Sequence, residues 1–184
     1  MTERNTTKTQ YYVAASIDGY IADRVGSLDW LMQFGMEEFQ GDYEAFLADV
    51  GVVVMGSRTY EWLLADGIAE WPYAEQVSWV LTSRSLPQTD GADIRFVQGS
   101  VADLHPQWVE AAAGKNVWIV GGGDLAAQVA DAGLLDEIIL TTMPVALGAG
   151  TPLLPSAHAS QLFGVESSRL LPSGAVTTVY RTIR

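Results

Sequence analysis

The sequence predicts an α/β domain with a largely parallel central sheet and an antiparallel edge. Three observations predict it. Short apolar runs rich in β-branched and aromatic residues recur along the chain, separated by helical or turn segments. Gly51–Met55 (GVVVM) is apolar throughout, as a strand covered on both faces is, and Asn116–Val120 (NVWIV) reads the same way. The last two predicted strands, Glu137–Met143 and Val176–Thr182, have no helical pattern between them, which suits an antiparallel pair.

In chain order, residues 1 to 9 read as a loose polar tail and residues 10 to 184 as one domain. Gln10–Ala15 (QYYVAA) is the first strand. Ser16–Leu28 holds Gly19 and Gly26 and reads as a loop, with room for a short strand at Gly19–Ala22. Glu37–Asp49 is a helix whose apolar residues Phe39, Tyr43, Phe46 and Leu47 form one stripe, although Gly41 weakens it. After the Gly51–Met55 strand, Ser57–Leu64 looks like a helix start. Gln76–Thr82 and Ile94–Val97 are strands. Val101–Ala113 is helical, with Pro106 imposing a late start or a kink. Asp124–Ala132 is a helix, and Gly133 is its expected C-cap.

Composition narrows the chemistry. The 184 residues suit one domain, and 48% hydrophobic content suits a full core. The absence of cysteine excludes disulfides, thiolate metal sites and a cysteine nucleophile. His105 and His158 lack metal-ligand spacing, which counts against zinc and against a Ser-His-Asp triad. A net charge of −12 repels nucleic acid and anionic lipid. No apolar run approaches the roughly 20 residues needed to span a bilayer. The polar start MTERNTTKTQ has no signal-peptide core, so a cytoplasmic location is expected.

Against that acidic background the position of each arginine is informative. Three strand-to-helix junctions place glycine or hydroxyl residues where ligands bind in open α/β sheets, and helix amino ends favour phosphate there. The first is Met55-Gly56-Ser57-Arg58-Thr59-Tyr60, readable as a plain capped helix or as a phosphate site. The second is Leu81-Thr82-Ser83-Arg84-Ser85, readable as a polar turn or as a second anion site. In the third, Gly121, Gly122 and Gly123 lie between a strand and the helix that begins at Asp124. This is not the spaced G-x-G-x-x-G pattern, so an ordinary Rossmann domain is not supported. A fourth feature, Ala14–Ala22 (AASIDGYIA), carries Asp18, which is either a turn residue or a polar anchor or proton donor facing the cleft.

Six segments in order resemble the dihydrofolate reductase superfamily, in the branch of the RibD C-terminal domain, the reductase part of bacterial riboflavin biosynthesis. They are AASIDGYIA (14–22), GSLDWL (26–31), VVVMGSRTYE (52–61), WVLTSR (79–84), VWIVGGGDL (117–125) and the run from Leu134 to Pro155. The resemblance implies an eight-stranded, mainly parallel sheet flanked by helices, with a C-terminal antiparallel hairpin. It implies NADPH as cofactor. Gly121, Gly122, Gly123 and Asp124 line the pyrophosphate on this reading, and Gly56, Ser57, Arg58 and Thr59 hold phosphates. Ser83 and Arg84 meet the 2′-phosphate, while Ala15, Ile17 and Ile21 lie by the nicotinamide. Asp18 matches the S-x-D-G motif of that branch and is the expected catalytic and substrate-side residue. Asp42 is the expected helix carboxylate, with Glu44 as the other choice.

The expected activity is NADPH-dependent hydride transfer to a small pterin- or aminopyrimidine-type heterocycle or carbonyl compound, similar to 5-amino-6-(5-phosphoribosylamino)uracil reductase or dihydrofolate reductase. Trp30 and Tyr20 are candidates to pack on a planar substrate. Asp18 needs a raised pKa, through burial, to donate a proton near neutral pH. A homodimer is expected, because the apolar edge of the terminal hairpin needs cover. A non-catalytic, dinucleotide-binding dimer on the same fold is the alternative. A hydrolase is disfavoured by the lack of a G-x-S-x-G elbow.

Overall fold

The computed structural model describes residues 7–65, 70–158 and 160–183. Ten strands and five helices follow in the order β1 (Thr9–Ser16), β2 (Tyr20–Ala22), α1 (Asp29–Met32), α2 (Glu37–Ala48), β3 (Val50–Gly56), α3 (Ser57–Ala65), β4 (Val77–Leu81), β5 (Ile94–Val97), α4 (Val101–Ala111), β6 (Asn116–Gly121), α5 (Gly123–Asp131), β7 (Glu137–Met143), β8 (Thr151–Pro152), β9 (Phe163–Leu170) and β10 (Val176–Thr182). Eight strands form one sheet in the order β5-β4-β3-β6-β1-β7-β10-β9, while β2 and β8 make a separate two-stranded ribbon. All pairs from β5 through β7 are parallel. β10 runs antiparallel to β7 and to β9.

The apolar run in β3 is explained by its cover. Val52 and Val54 join a core with Val117, Ile119, Leu104, Trp108, Leu125 and Val129, beneath α4 and α5. Val53 and Met55 point the other way and pack with Trp118, Tyr60 and Leu63, beneath α3. Alternation with period two therefore feeds two cores, so every position must be apolar. Tyr43, Phe46 and Leu47 of α2 close the second core, with Phe46 stacked on Tyr12 and edge-on to Trp118.

Several expectations need correction. The predicted tail falls partly on residues 1–6, which lie outside the described residues, but Thr9 is buried within β1. Lys8 donates its backbone N–H to Asn116 and pairs with Glu137. α4 starts at Val101, with Ser100 accepting from the Asp103 N–H, and it runs through Pro106 to Ala111. The cap holds the first turn, so Pro106 does not delay it. Gly133 does end α5: with φ +70° it donates to Ala130 while Leu134 donates to Val129, the Schellman arrangement.

Candidate functional site

Parallel pairing brings the carboxyl ends of β4, β3, β6, β1 and β7 to one edge of the sheet. Gly56 lies opposite Leu81, Met55 opposite Gly121, and Ser16 opposite Met143. The three junctions singled out in the sequence are therefore neighbours. The sheet also divides at this edge. β1 pairs with β6 only at Thr9 and Gln10, whereas β1 pairs with β7 from Gln10 to Ser16. Beyond Gln10 the β1–β6 ladder stops, leaving a wedge with Ala14–Ser16 on one side and Val120–Gly121 on the other. Ala15 is buried at this end, while Ile17, just past it, is 64% exposed. Ile21 is half-buried in β2.

Beside the wedge is a cavity of about 510 Å³ whose lining includes Arg24, Arg58, Gly26, Gly150 and Thr151. Among the described residues, Lys8, Arg84, Arg95, Arg169 and Arg181 are each paired with a carboxylate, and Lys115 donates to the Ala48 carbonyl. Arg24 and Arg58 have no such partner, and both line this cavity. Asp23, whose carboxylate accepts from the Val25 and Ser27 N–H groups, shares this lining. The two guanidinium groups therefore leave one net positive charge at the hollow, a local reversal of sign in a chain of net charge −12 that draws anions. The amino ends of α3 and α5 add partial positive charge at the same edge, and no side chain caps α5.

The three glycines have different duties. A Cβ on Gly123 would lie 2.1 Å from the Pro152 carbonyl oxygen, so this glycine is required for packing of α5 against β8. Nothing lies within 4 Å of the equivalent point on Gly122 or Gly56, so both keep their backbone open to a ligand. Gly121 has φ +155°, with the Thr59 hydroxyl beside it, and the Gly121–Gly122 peptide is cis. Asp124 is exposed in the first turn of α5. Its carboxylate suits a hydroxyl better than a phosphate.

Four expected roles change. Arg84 forks onto both carboxylate oxygens of Glu61, at 2.8 and 2.7 Å, so it is not a free cation. Ser83 beside it is exposed. Asp18 is exposed rather than buried. The Ser16 hydroxyl donates to its Oδ1 at 2.6 Å, and the backbone N–H groups of Leu147 and Gly148 donate at 3.0 and 2.7 Å. These bonds, the Ser16 one foremost, hold its pKa down to about 2. Asp18 is thus an anion that ties the β1–β2 turn to the loop after β7, not a proton donor at neutral pH. Trp30 is 8% exposed, packed with Met143, Leu171 and Ala175, so no open ring face remains for stacking. Asp42 is ion-paired with Arg169 of β9.

The Asp18 anchor carries a pH expectation. A folded pKa below the ordinary 3.8 means the anchor is complete above roughly pH 4 and fails as pH falls towards 2. Hydrogen exchange is expected to show constant protection factors at the Leu147 and Gly148 amides from pH 8 to pH 5. Asp18→Asn is expected to lose that protection. Unchanged protection in the variant would contradict the assignment.

Sequence reasoning missed Arg24, which sits in a loop with no periodic frame, and Glu38. The latter stands in the first turn of α2 and accepts from the Ser173 N–H at 3.2 Å. Ser173 lies in the β9–β10 turn, and β10 begins opposite Thr142 at the carboxyl end of β7, so Glu38 belongs to the same edge. Its Oε1 and the Nε1 of Trp30 are buried without hydrogen-bond partners. An acceptor and a donor left unmet beside one apolar cluster cost free energy unless something polar meets them.

A mainly parallel sheet covered on both faces, with an antiparallel terminal pair and a split carboxyl edge, is the dihydrofolate reductase-like fold. The protein belongs to the RibD C-terminal domain family, whose match spans residues 7–177. It is 34% identical over 146 residues to the uncharacterised protein YwjB of Bacillus subtilis (strain 168), covering 79% of this chain and 82% of that one. A protein of Shewanella sp. PV-4 assigned to riboflavin biosynthesis superposes with a TM-score of 0.85 at 28% identity, covering 97% of this chain and 100% of the other. Dihydrofolate reductase from Enterococcus faecalis, complexed with NADP(H) and RAB-propyl, superposes with a TM-score of 0.66 at 16% identity, covering 98% of both chains. Among the described residues no helix is long and apolar enough to cross a membrane, and no acidic or histidine cluster could hold a metal.

Proposed function

We propose that the protein is an NADPH-dependent reductase of a small planar heterocycle of the pterin or aminopyrimidine class, as its family suggests. The observation that carries this reading is the convergence of the two unpaired arginines on the hollow beside the split β1–β6 edge. The residues present fit a polyanionic dinucleotide. Arg58 and Arg24, with Ser57, Thr59 and the open backbone at Gly56, hold the phosphates. Gly121 and Gly122 let the pyrophosphate approach the amino end of α5, and Asp124 accepts from a ribose hydroxyl. Ser83 and Arg84 border the adenosine 2′-position. Ala15, Ile17 and Ile21 flank the nicotinamide in the wedge.

When bound, the cofactor supplies the hydride. The protein orients it and the substrate, and the apolar residues around the wedge exclude water. On the substrate side, Glu38 replaces Asp42 and Asp18 as the polar contact. The half-buried Glu38 carboxylate accepts an N–H of the heterocycle, and Trp30 stays packed in its apolar cluster. Asp18 orders the adjoining loop.

A homodimer through β9 belongs to the same proposal. That strand is hydrogen-bonded on one side only and carries exposed Val165 and Leu170, with Leu162 and Ile183 beside it.

Loss of nicotinamide absorbance, followed with NADPH and a panel of pterins and aminopyrimidines, tests the activity. Glu38→Gln is expected to cut turnover by about tenfold or more while leaving NADPH affinity within about twofold. Binding without turnover across the panel favours a dinucleotide-binding protein without catalysis. Light scattering on the same samples is expected to give twice the 19.9 kDa chain mass, and a single-chain mass would contradict the dimer.

A further inference from the structure

The Arg84–Glu61 fork is a bidentate, half-exposed ion pair at this edge, and it neutralises a cation where a polyanion is expected. Glu61 lies on α3, three residues after Arg58, so the two share a helix face. Arg84 follows β4, whose last residue Leu81 lies opposite Gly56. Arg84 donates to Glu61 through both terminal nitrogens, and the Thr82 hydroxyl oxygen accepts from the Arg84 backbone N–H at 3.0 Å. The turn after β4 is thereby locked with its guanidinium facing the carboxylate. Glu61 in turn finds its partner in Arg84, and Arg58 stays uncompensated in the cavity. Both side chains of the fork remain about half exposed, so an incoming ligand can reach them.

We propose that Glu61 sets dinucleotide choice: by occupying Arg84 it restrains recognition of a 2′-phosphate and keeps the site open to a dinucleotide with a free 2′-hydroxyl. This rests on the reading of the cavity as a dinucleotide site and on the proposed place of Arg84, outside the cavity's lining, at the adenosine 2′-position. A 2′-phosphate carries close to two negative charges near neutral pH. To fork onto Arg84 it must displace or share Glu61, whose own charge repels it. A 2′-hydroxyl meets no such penalty, because a carboxylate accepts its hydrogen bond. An exposed pair is weak and screened by salt, so the restraint is modest and its effect shrinks as ionic strength rises.

The test compares NADPH and NADH binding to the full chain by calorimetry at low salt, in the wild type, Glu61→Gln, Arg84→Ala and the double variant. Glu61→Gln is expected to tighten NADPH by about three- to tenfold and to leave NADH within about twofold, as removal of one exposed ion pair implies. The gain is expected to vanish in the Arg84→Ala background and to shrink at high salt. Both positions are exposed, and equal melting temperatures verify that the fold is intact. An unchanged NADPH-to-NADH affinity ratio in Glu61→Gln overturns the proposal, as does an equal gain for both dinucleotides or a full gain without Arg84. In each of those cases the dinucleotide reading stands. Failure of the wild type to bind either dinucleotide overturns that reading and this inference with it.

Discussion

Gly123→Ala is expected to lower the unfolding free energy by about 3 kcal/mol and to cost dinucleotide binding, because the added methyl has nowhere to go. Its position lies 2.1 Å from the Pro152 carbonyl oxygen and 3.0 Å from that of Leu153. Both obstacles are backbone, and neither can move alone. The Leu153 N–H donates to the Gly19 carbonyl at 2.9 Å, and the Leu153 carbonyl accepts from the buried Tyr11 hydroxyl at 3.1 Å. Relief therefore means shifting α5 or pulling β8 and Leu153 away from β2, Gly19 and the Tyr11 hydroxyl, which sacrifices about 1 kcal/mol per broken hydrogen bond. Gly56→Ala is the control. Its methyl enters open space, so melting is expected to stay within a few degrees, as a change below about 0.5 kcal/mol implies. Phosphate binding should weaken, because the proposed ligand lies in that space. Thermal and denaturant unfolding of both variants checks the pair. Equal stability would mean that the α5–β8 contact is soft.

Arg24→Ala combined with Arg58→Ala is expected to weaken NADPH by about a hundredfold or more, with about tenfold from Arg58 alone, since hydrogen bonds to charged groups contribute about 1.5–3 kcal/mol each. Isothermal calorimetry across a salt series checks it. The wild type should lose affinity with rising salt more steeply than the double variant, because two cations that contact phosphate have been removed. A double variant that binds as the wild type does would place the phosphates elsewhere.

Much of this architecture was legible in the chain because burial on both faces leaves an unambiguous mark. β3 and β6 read as strands because each residue serves one of two cores. The junctions read as a site because arginine and glycine are informative in an acidic chain. β9 was not legible: FGVESSRL is exposed over most of its length, so its two faces impose no alternation. α1 spans four residues without a side-chain cap, too little for a helical period. Charge partners were equally hidden. Arg58 and Arg84 look alike in sequence, each preceded by serine at a strand end, yet one is free and the other is held by Glu61. Asp18 has the residue type of an acid, but the N–H groups that fix it as an anion come from Leu147 and Gly148, far along the chain. Among the carboxylates of α2 the sequence points to Asp42 or Glu44, and only tertiary packing, through the Ser173 N–H, brings Glu38 to the carboxyl edge.

On the proposed function, the split carboxyl edge with Arg24 and Arg58 receives a dinucleotide. The most direct measurement is an NMR titration of the backbone amides with NADPH. Saturable shifts are expected at Gly56–Thr59, Gly121–Asp124 and Arg24, with smaller shifts at Ala15–Ile17. Saturable binding whose shifts fall elsewhere, or no shift at millimolar NADPH, would contradict it.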